Sequence, residues 1–217
     1  ATDKINELFK PWKNRDALVK ESDSAFKNYN GGDFIDVGAF SGFYSFLLAP
    51  KSNSFDNFVS CEPDTNAQTD LLENLSILAN TFNKLRITFI NSPISNGDDV
   101  TIVDTSFGHP CFSNSHDSFN NKKRIKSISL DSLVHSLSLK PKFIKIDVEG
   151  AEFDVLQGMQ ETLKKYKPKI MLEKHPSLVP KNISLKDIDN FLIKNGYYSE
   201  FISEDIDIAI REIWKTS

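Results

Sequence analysis

Short apolar runs alternate with longer segments whose apolar residues recur at helical spacing along most of the chain. The runs of strand length are Phe34–Gly38, Phe58–Pro63, Arg86–Ile90, Val100–Val103, Ile125–Leu130, Phe143–Asp147 and Ile170–Glu173. Helical spacing is found in Phe43–Ala49, Asn66–Thr81, Ala151–Tyr166 and Leu185–Lys194. Strands separated by helices of this length need parallel crossovers, which place helices on both faces of one sheet. The pattern therefore predicts a doubly wound α/β fold with a mostly parallel sheet.

The two ends of the chain depart from this alternation. Residues 1–30 carry apolar side chains at helical spacing, which predicts a helical segment packed on a domain of residues 31–217. The last apolar runs, Tyr197–Ile202 and Ile206–Trp214, predict an antiparallel strand pair that closes the sheet.

Two interior features interrupt the regular pattern. Residues 105–123 are polar, contain His109 and His116, and predict one long loop of the kind that is usually functional or disordered. Gly158 lies inside the predicted helix of residues 151–166, where glycine costs roughly 1 kcal/mol relative to alanine. We expect close backbone packing at Gly158.

Composition narrows the classes of partner. The formal net charge is -4, so no attraction to a nucleic-acid backbone is expected. No apolar run is long enough to cross a bilayer, and no signal-peptide core is found. Cys61 and Cys111 lack C-x-x-C spacing, which favours a reducing compartment and a cytoplasmic location. The chain begins with Ala1 rather than Met, as a processed chain or one domain of a larger polypeptide would.

The strongest local motif is the glycine turn Asp36-Val37-Gly38-Ala39-Phe40-Ser41-Gly42, which follows the first predicted strand. Glycines at this point let a ligand approach the backbone where the next helix begins. The third glycine of a dinucleotide-binding turn is missing, which argues against a pyrophosphate ligand. A carboxylate such as Asp36 beside the turn suits a cationic sulfonium better.

Glu62 ends the second predicted strand, 20 residues after Gly42. An acidic residue at this place can accept hydrogen bonds from both hydroxyls of a ribose. The alternative is a solvated carboxylate at a strand end. Together with the glycine turn, Glu62 favours a ligand that contains a nucleoside.

Six segments, taken in order along the chain, resemble the FkbM family of methyltransferases. The matching pieces are Phe34–Ala39, Cys61-Glu62-Pro63, Leu72–Asn74, Ser129–Leu133, the run Phe143-Ile144-Lys145-Ile146-Asp147-Val148-Glu149-Gly150-Ala151-Glu152, and Leu172–His175. The resemblance implies a class I (Rossmann-like) methyltransferase fold and S-adenosylmethionine as cofactor, with S-adenosylhomocysteine as product. It also implies methyl transfer to an oxygen, often a sugar or polyketide hydroxyl.

The cofactor-binding residues that follow from the motif and the resemblance are Asp36, Gly38, Ala39, Phe40, Gly42, Glu62, Pro63, Asn91, Ser92 and Asp147. Phe40 departs from the family pattern, which commonly has Asn there, and this puts the geometry of the turn in doubt. Asn91 and Ser92 fall where class I enzymes place residues beside the adenine.

The candidate catalytic residues are Asp147, Glu149, Glu173 and His175, which follow two predicted strands. Doubly wound sheets bind ligands at these carboxyl ends. An alcohol needs a base to take its proton, and His175 or Asp147 is the preferred base, with Glu149 and Glu173 as orienting groups. A purely structural role for His175 remains open, and Glu152 is assigned to charge complementarity at a helix N-terminus. A metal-free mechanism ranks first, and Mg²⁺ or Mn²⁺ held by these side chains ranks second.

The leading hypothesis for function is an O-methyltransferase that acts on a sugar or glycan hydroxyl. A non-sugar hydroxyl is the alternative acceptor. A non-catalytic domain that binds the cofactor is a second hypothesis from another class, supported only by Phe40. A nicotinamide-dependent dehydrogenase comes third, because the turn lacks the third glycine.

Overall fold

The computed structural model describes residues 16–104, 111–112, 122–205 and 208–217. The strands are β1 (Asp33–Val37), β2 (Asn57–Cys61), β3 (Arg86–Ile90), β4 (Ile94–Ser95), β5 (Val100–Asp104), β6 (Cys111–Phe112), β7 (Lys122–Lys126), β8 (Ile128–Ser129), β9 (Pro141–Ile146), β10 (Lys169–Lys174), β11 (Tyr197–Asp205) and β12 (Ala209–Thr216). A seven-stranded sheet has the order β11-β12-β10-β9-β1-β2-β3, in which β12 runs antiparallel to its neighbours β10 and β11. The predicted mostly parallel sheet with an antiparallel C-terminal pair is confirmed.

Helices cover both faces of this sheet. They are α1 (Asp16–Asn28), α2 (Phe43–Leu48), α3 (Thr65–Thr81), α4 (Leu130–Ser136), α5 (Glu152–Gln157), α6 (Gln160–Tyr166) and α7 (Leu185–Lys194), with a 3₁₀ turn at Ala49–Lys51. Asp64 and Ser184 cap α3 and α7, since each side chain accepts a backbone N–H of the first turn.

The central strands are buried on both faces because successive side chains point to opposite sides of the sheet. In β1, Ile35 packs in one core with Val59 and Ile144. Phe34, one residue earlier, packs in the other core, where its ring centroid lies 5.4 Å from that of Phe58. Near-continuous apolar runs in the sequence thus become central strands.

One predicted helix is broken. The expectation of a continuous helix over residues 151–166 is wrong, because α5 ends at Gln157 and α6 begins at Gln160. Gly158 lies between them, and a Cβ there would be 2.0 Å from the Ser95 carbonyl oxygen. The Asp131 carboxylate accepts the backbone N–H groups of Glu161 and Thr162, so it caps the second helix. Close backbone packing at Gly158 is confirmed.

Two predicted segments coincide only in part with the described residues. Strand β6 lies within the predicted loop of residues 105–123 and pairs with β5, so a loop without secondary structure is wrong at that point. His109, His116 and residues 1–15 lie outside the described residues. Helix α1 is described and contacts β11. No helix in the described part of the chain is long and apolar enough to span a membrane.

We expect Gly158→Ala to lower the free energy of unfolding by about 1–3 kcal/mol, the usual cost of overpacking. The new methyl group would collide with the Ser95 carbonyl. Gly97→Ala is the matched control, because no heavy atom lies within 4 Å of a Cβ built at Gly97. Urea denaturation of both variants measures the difference. Equal stability of the two variants would contradict the packing described for Gly158.

Candidate active site

A cavity of about 470 Å³ opens at the carboxyl ends of the central strands. Strand β1 is the point where the chain order of the sheet reverses, since β2 lies on one side of it and β9 on the other. Ligands of doubly wound folds bind in such a crevice. The position and size of the cavity are those of a small-molecule site.

The glycine turn after β1 forms one wall of the cavity. Gly38 has a φ of 83°, and a Cβ there would lie 1.8 Å from the Asp147 carbonyl oxygen. Glycine is therefore required both by the backbone conformation and by the close approach of the chain after β9. Gly38 and Ala39 also donate their N–H groups to the Cys61 carbonyl, which ties the turn to the end of β2.

Glu62 closes the next side of the cavity. Its side chain accepts the Phe40 N–H at 2.9 Å and the Asp64 N–H at 2.8 Å. Burial raises the pKa of Glu62, and these two backbone hydrogen bonds offset part of that rise. A carboxylate has about four acceptor positions, so capacity remains for ligand hydroxyls. Glu62 thus braces the turn and still faces the cavity.

The structure brings together most of the residues predicted for the cofactor. Those that line the cavity with Asp147 are Gly38, Ala39, Phe40, Glu62, Pro63 and Ser92. The candidate catalytic residues Asp147, Glu149, Glu173 and His175 line the same cavity. One continuous wall therefore joins the glycine turn to the acidic ends of β9 and β10.

Three predicted residues lie outside this lining. Asp36 is fully buried with no hydrogen-bond partner among the described residues, and burial raises its pKa to about 7. Gly42 lies behind the turn, where a Cβ would meet Leu71. Asn91 is exposed and accepts a hydrogen bond from Gln68. The carboxylate of Asp36, which was predicted to face a sulfonium, is enclosed in the interior and does not line the cavity.

Buried Lys145 and partly exposed Asp147 form an ion pair at the end of β9. The Lys145 Nζ lies 2.8 Å from Asp147 Oδ2 and 4.8 Å from the centre of the Tyr44 ring. Burial alone would lower the pKa of Lys145, but nearby carboxylates, first Asp147, raise it above its ordinary value. Burial would raise the pKa of Asp147, but Lys145 and His175 hold it below its ordinary value. Asp147 is therefore ionised at neutral pH.

Arg211 joins three elements on the far side of the cavity. Its guanidinium pairs with Glu173 of β10, with Glu21 of α1 at 3.0 Å and with Asp205 of β11 at 3.0 Å. Burial, then the charges of Asp147 and Glu21, raise the pKa of Glu173 well above its ordinary value. The guanidinium fork is thus occupied by carboxylates of the protein.

His175 lies at the centre of the acidic group and is 5% exposed. Its Nδ1 is 2.8 Å from Glu152 Oε1, and its Nε2 is 3.6 Å from Glu149 Oε2 and 3.7 Å from Asp147 Oδ1. Burial lowers the pKa of His175, but the hydrogen bond to Glu152 and the charge of Asp147 outweigh burial and raise it to about 9. A group with a pKa this high is mostly protonated at neutral pH.

The ligand atoms of Asp147, Glu149 and His175 all lie within 4.8 Å of one another. This spacing is the geometric basis of the metal-assisted alternative. A cation bound here would have to displace a proton from His175, because only the neutral imidazole offers a lone pair to a metal.

Sequence reasoning missed Lys145, Arg211, Tyr44 and Glu21 as parts of the site. Lys145 had a local signal, since a lysine in an apolar strand two residues before Asp147 shares its face of the sheet. The other three had no such signal. They come from two helices and a strand that are distant in sequence. Packing brings Tyr44 and Arg211 to the cavity, and Glu21 pairs with Arg211.

The family model of the methyltransferase FkbM domain matches residues 36–198 of this chain. The hexuronic acid methyltransferase AglP of Haloferax volcanii is 30% identical over 160 residues, which are 69% of this chain and 58% of that protein. The chain thus spans less than two thirds of the length of this relative.

Solved structures show the same fold. The crystal structure of methyltransferase FkbM from Methylobacillus flagellatus KT has a TM-score of 0.61 at 18% identity and covers 85% of this chain and 44% of that one. An rRNA methylase from Streptococcus thermophilus has a TM-score of 0.56 at 9% identity, over 94% of this chain and 98% of that one. Together with the strand order, these likenesses confirm the class I, Rossmann-like fold. With the family model matched over most of its length, the chain belongs to the FkbM methyltransferase family.

Proposed function

We propose that this chain transfers a methyl group from S-adenosylmethionine to a hydroxyl of a sugar or glycan. The observation that carries the proposal is the single cavity that joins the glycine turn and Glu62 to Asp147, Glu173 and His175. A cavity with this lining would allow a cofactor and an acceptor to lie end to end, as an in-line displacement requires. Alignment of this kind is worth roughly 7–11 kcal/mol of the barrier.

The charges of the cavity support the cofactor assignment. Carboxylates outnumber cationic side chains along its wall; the carboxylates are Glu62, Asp64, Asp147, Glu149, Glu173 and Asp205, and the cations are Lys145, His175 and Arg211. An acidic wall favours a positively charged ligand such as a sulfonium. When bound, S-adenosylmethionine supplies the electrophilic methyl group. Gly38, Ala39 and Glu62 would hold it through backbone contacts and ribose hydrogen bonds.

The same wall favours a neutral acceptor over a carboxylate acceptor. Lys145 and Arg211 are already paired with carboxylates of the protein, so neither is free to hold an anionic substrate. A sugar hydroxyl can exchange hydrogen bonds with Asp147, Glu149 and Glu173 instead. The sugar class is drawn from the relative named for hexuronic acid, and a polyketide hydroxyl is the alternative.

His175 is the base that we propose for the hydroxyl proton. An imidazole with a pKa of about 9 is a strong base once it is neutral, although only about 1% is neutral at pH 7. Asp147 is ionised, but its lowered pKa makes it the weaker base, so it orients the acceptor with Glu149 and Glu173. When the acceptor oxygen takes up the methyl group that the cofactor would supply, Nε2 of His175 would take the proton that the hydroxyl loses. We place the metal-free route first.

The direct test incubates the protein with labelled S-adenosylmethionine and paired acceptors, namely neutral methyl glycosides and the corresponding uronates. We expect mass spectrometry to find a methyl ether on a neutral glycoside, with activity unchanged after treatment with EDTA. Loss of activity on chelation would instead favour a cation at Asp147, Glu149 and His175. Cofactor binding without transfer to any glycoside or polyketide alcohol would favour the non-catalytic domain. The cytoplasmic location stays a prediction.

We expect Glu62→Ala to weaken binding of S-adenosylhomocysteine by about 1–3 kcal/mol, or roughly 5- to 150-fold. The substitution removes an acceptor of ribose hydroxyls and strands the N–H groups of Phe40 and Asp64. Isothermal titration calorimetry measures the loss. Glu73→Ala, at an exposed position of α3, is the control and should bind normally. Unchanged affinity in Glu62→Ala would rule out the ribose assignment.

We expect His175→Gln to lower kcat by about 10²–10⁴-fold and to leave the affinity for S-adenosylhomocysteine near its wild-type value. Below the pKa of about 9, each unit of pH exposes more neutral imidazole, so wild-type kcat should rise with pH and level off near 9. The variant should lose this rise. His135→Gln, on the exposed side of α4, should behave as wild type. A variant that keeps wild-type kcat would show that the base lies elsewhere.

A further inference from the structure

Glu152 is a buried carboxylate directly behind His175. It is fully buried in the first turn of α5, and its Oε1 lies 2.8 Å from His175 Nδ1. The same oxygen accepts the Gly150 N–H at 3.0 Å. Glu152 itself does not line the cavity, whereas His175 does.

Complementarity to the helix N-terminus does not account for this burial. A carboxylate interacts favourably with a helix N-terminus at an exposed position and does not need to be buried to do so. Burial of a carboxylate is strongly unfavourable unless a specific partner compensates it. Asp154, in the same turn, is only half-buried and supplies a carboxylate to the same helix end. The partner that distinguishes Glu152 from Asp154 is the imidazole of His175.

We propose that Glu152 is a positioning residue for His175, holding the ring by Nδ1 so that Nε2 faces Asp147 and Glu149 on the cavity wall. The inference rests on the proposed role of His175 as the base. A neutral histidine has one donor nitrogen and one acceptor nitrogen. Because Glu152 accepts from Nδ1, the acceptor lone pair of the neutral ring is at Nε2, on the side of the substrate.

The surroundings of His175 make Glu152 the principal partner of the ring. Asp147 and Glu149 face Nε2 from the segment after β9, and Glu173 of β10 lies 3.9 Å from Nε2 while paired with Arg211 of β12. Glu152 alone among these carboxylates is within hydrogen-bond distance of the ring. Its hydrogen bond and charge raise the pKa of His175, against the effect of burial. Removal of the Glu152 charge should therefore lower the pKa of His175.

The test is a titration of His175 by two-bond ¹H–¹⁵N NMR in EDTA-treated protein, with the signal assigned from His175→Gln. We expect the neutral wild-type ring to be protonated at Nδ1, the nitrogen that lies 2.8 Å from Glu152. Glu152→Gln should lower the midpoint by at least one unit and shift the rise of kcat with pH by the same amount. Asp154→Asn is the matched control, since it removes a carboxylate from the same helix turn, and it should leave the His175 midpoint in place.

An unchanged His175 midpoint in folded Glu152→Gln, or an equal shift in Asp154→Asn, would overturn the inference. If the midpoint moves but the pH dependence of kcat does not, Glu152 positions the ring and the proposed base is wrong instead. If Glu152→Gln does not fold, the NMR spectrum of wild-type His175 tests the inference by itself. An ordinary midpoint near 6.5, or a neutral ring protonated at Nε2, refutes the role of Glu152.

Discussion

The buried charges at the carboxyl ends of β9 and β10 and at the amino end of the antiparallel β12 are the constraint on which the rest of the site depends. Lys145 and Arg211 lie in the interior. Lys145 pairs with Asp147 two residues further along the chain, whereas Arg211 pairs with carboxylates of α1, β10 and β11. Removal of one partner leaves a buried charge without compensation, which costs several kcal/mol. Helix α1, the closing strand pair and the central strands must therefore all be in place together. The carboxylates outnumber the cations, and this excess makes the cavity attractive to a positive ligand.

The turn after β1 and the segment after β9 are locked to each other by the backbone. Gly38 approaches the Asp147 carbonyl too closely for any side chain, and the Asp147 N–H donates to the Val37 carbonyl at 3.0 Å. Glu62 in turn holds the N–H of Phe40. The glycine turn and the acidic end of the cavity are therefore tied together through the backbone. A reaction that depends on alignment benefits from such rigidity.

Much of the fold and part of the site were predictable because they depend on local periodicity. Strand β3 and helix α7 have the predicted bounds. The four candidate catalytic residues at the ends of β9 and β10 line one cavity, because neighbouring parallel strands end at the same edge of the sheet. Asp36 shows the limit of this reasoning. It belongs to the right motif, but strand alternation turns its carboxylate into the interior, where burial raises its pKa to about 7. The break at Gly158 likewise depends on the approach of Ser95, which no local pattern reveals.

The sequence by itself determined the class of fold, the glycine turn, the acidic strand ends and the family resemblance, because each of these is written in residues adjacent along the chain. Only the tertiary structure decided which carboxylates face the cavity, that Arg211 and Glu21 join the site, and that His175 is protonated. Charge and proton affinity depend on burial and on partners from distant segments. Glu152 is the clearest case, since its position in the chain indicates a helix terminus and its contacts make it the partner of His175.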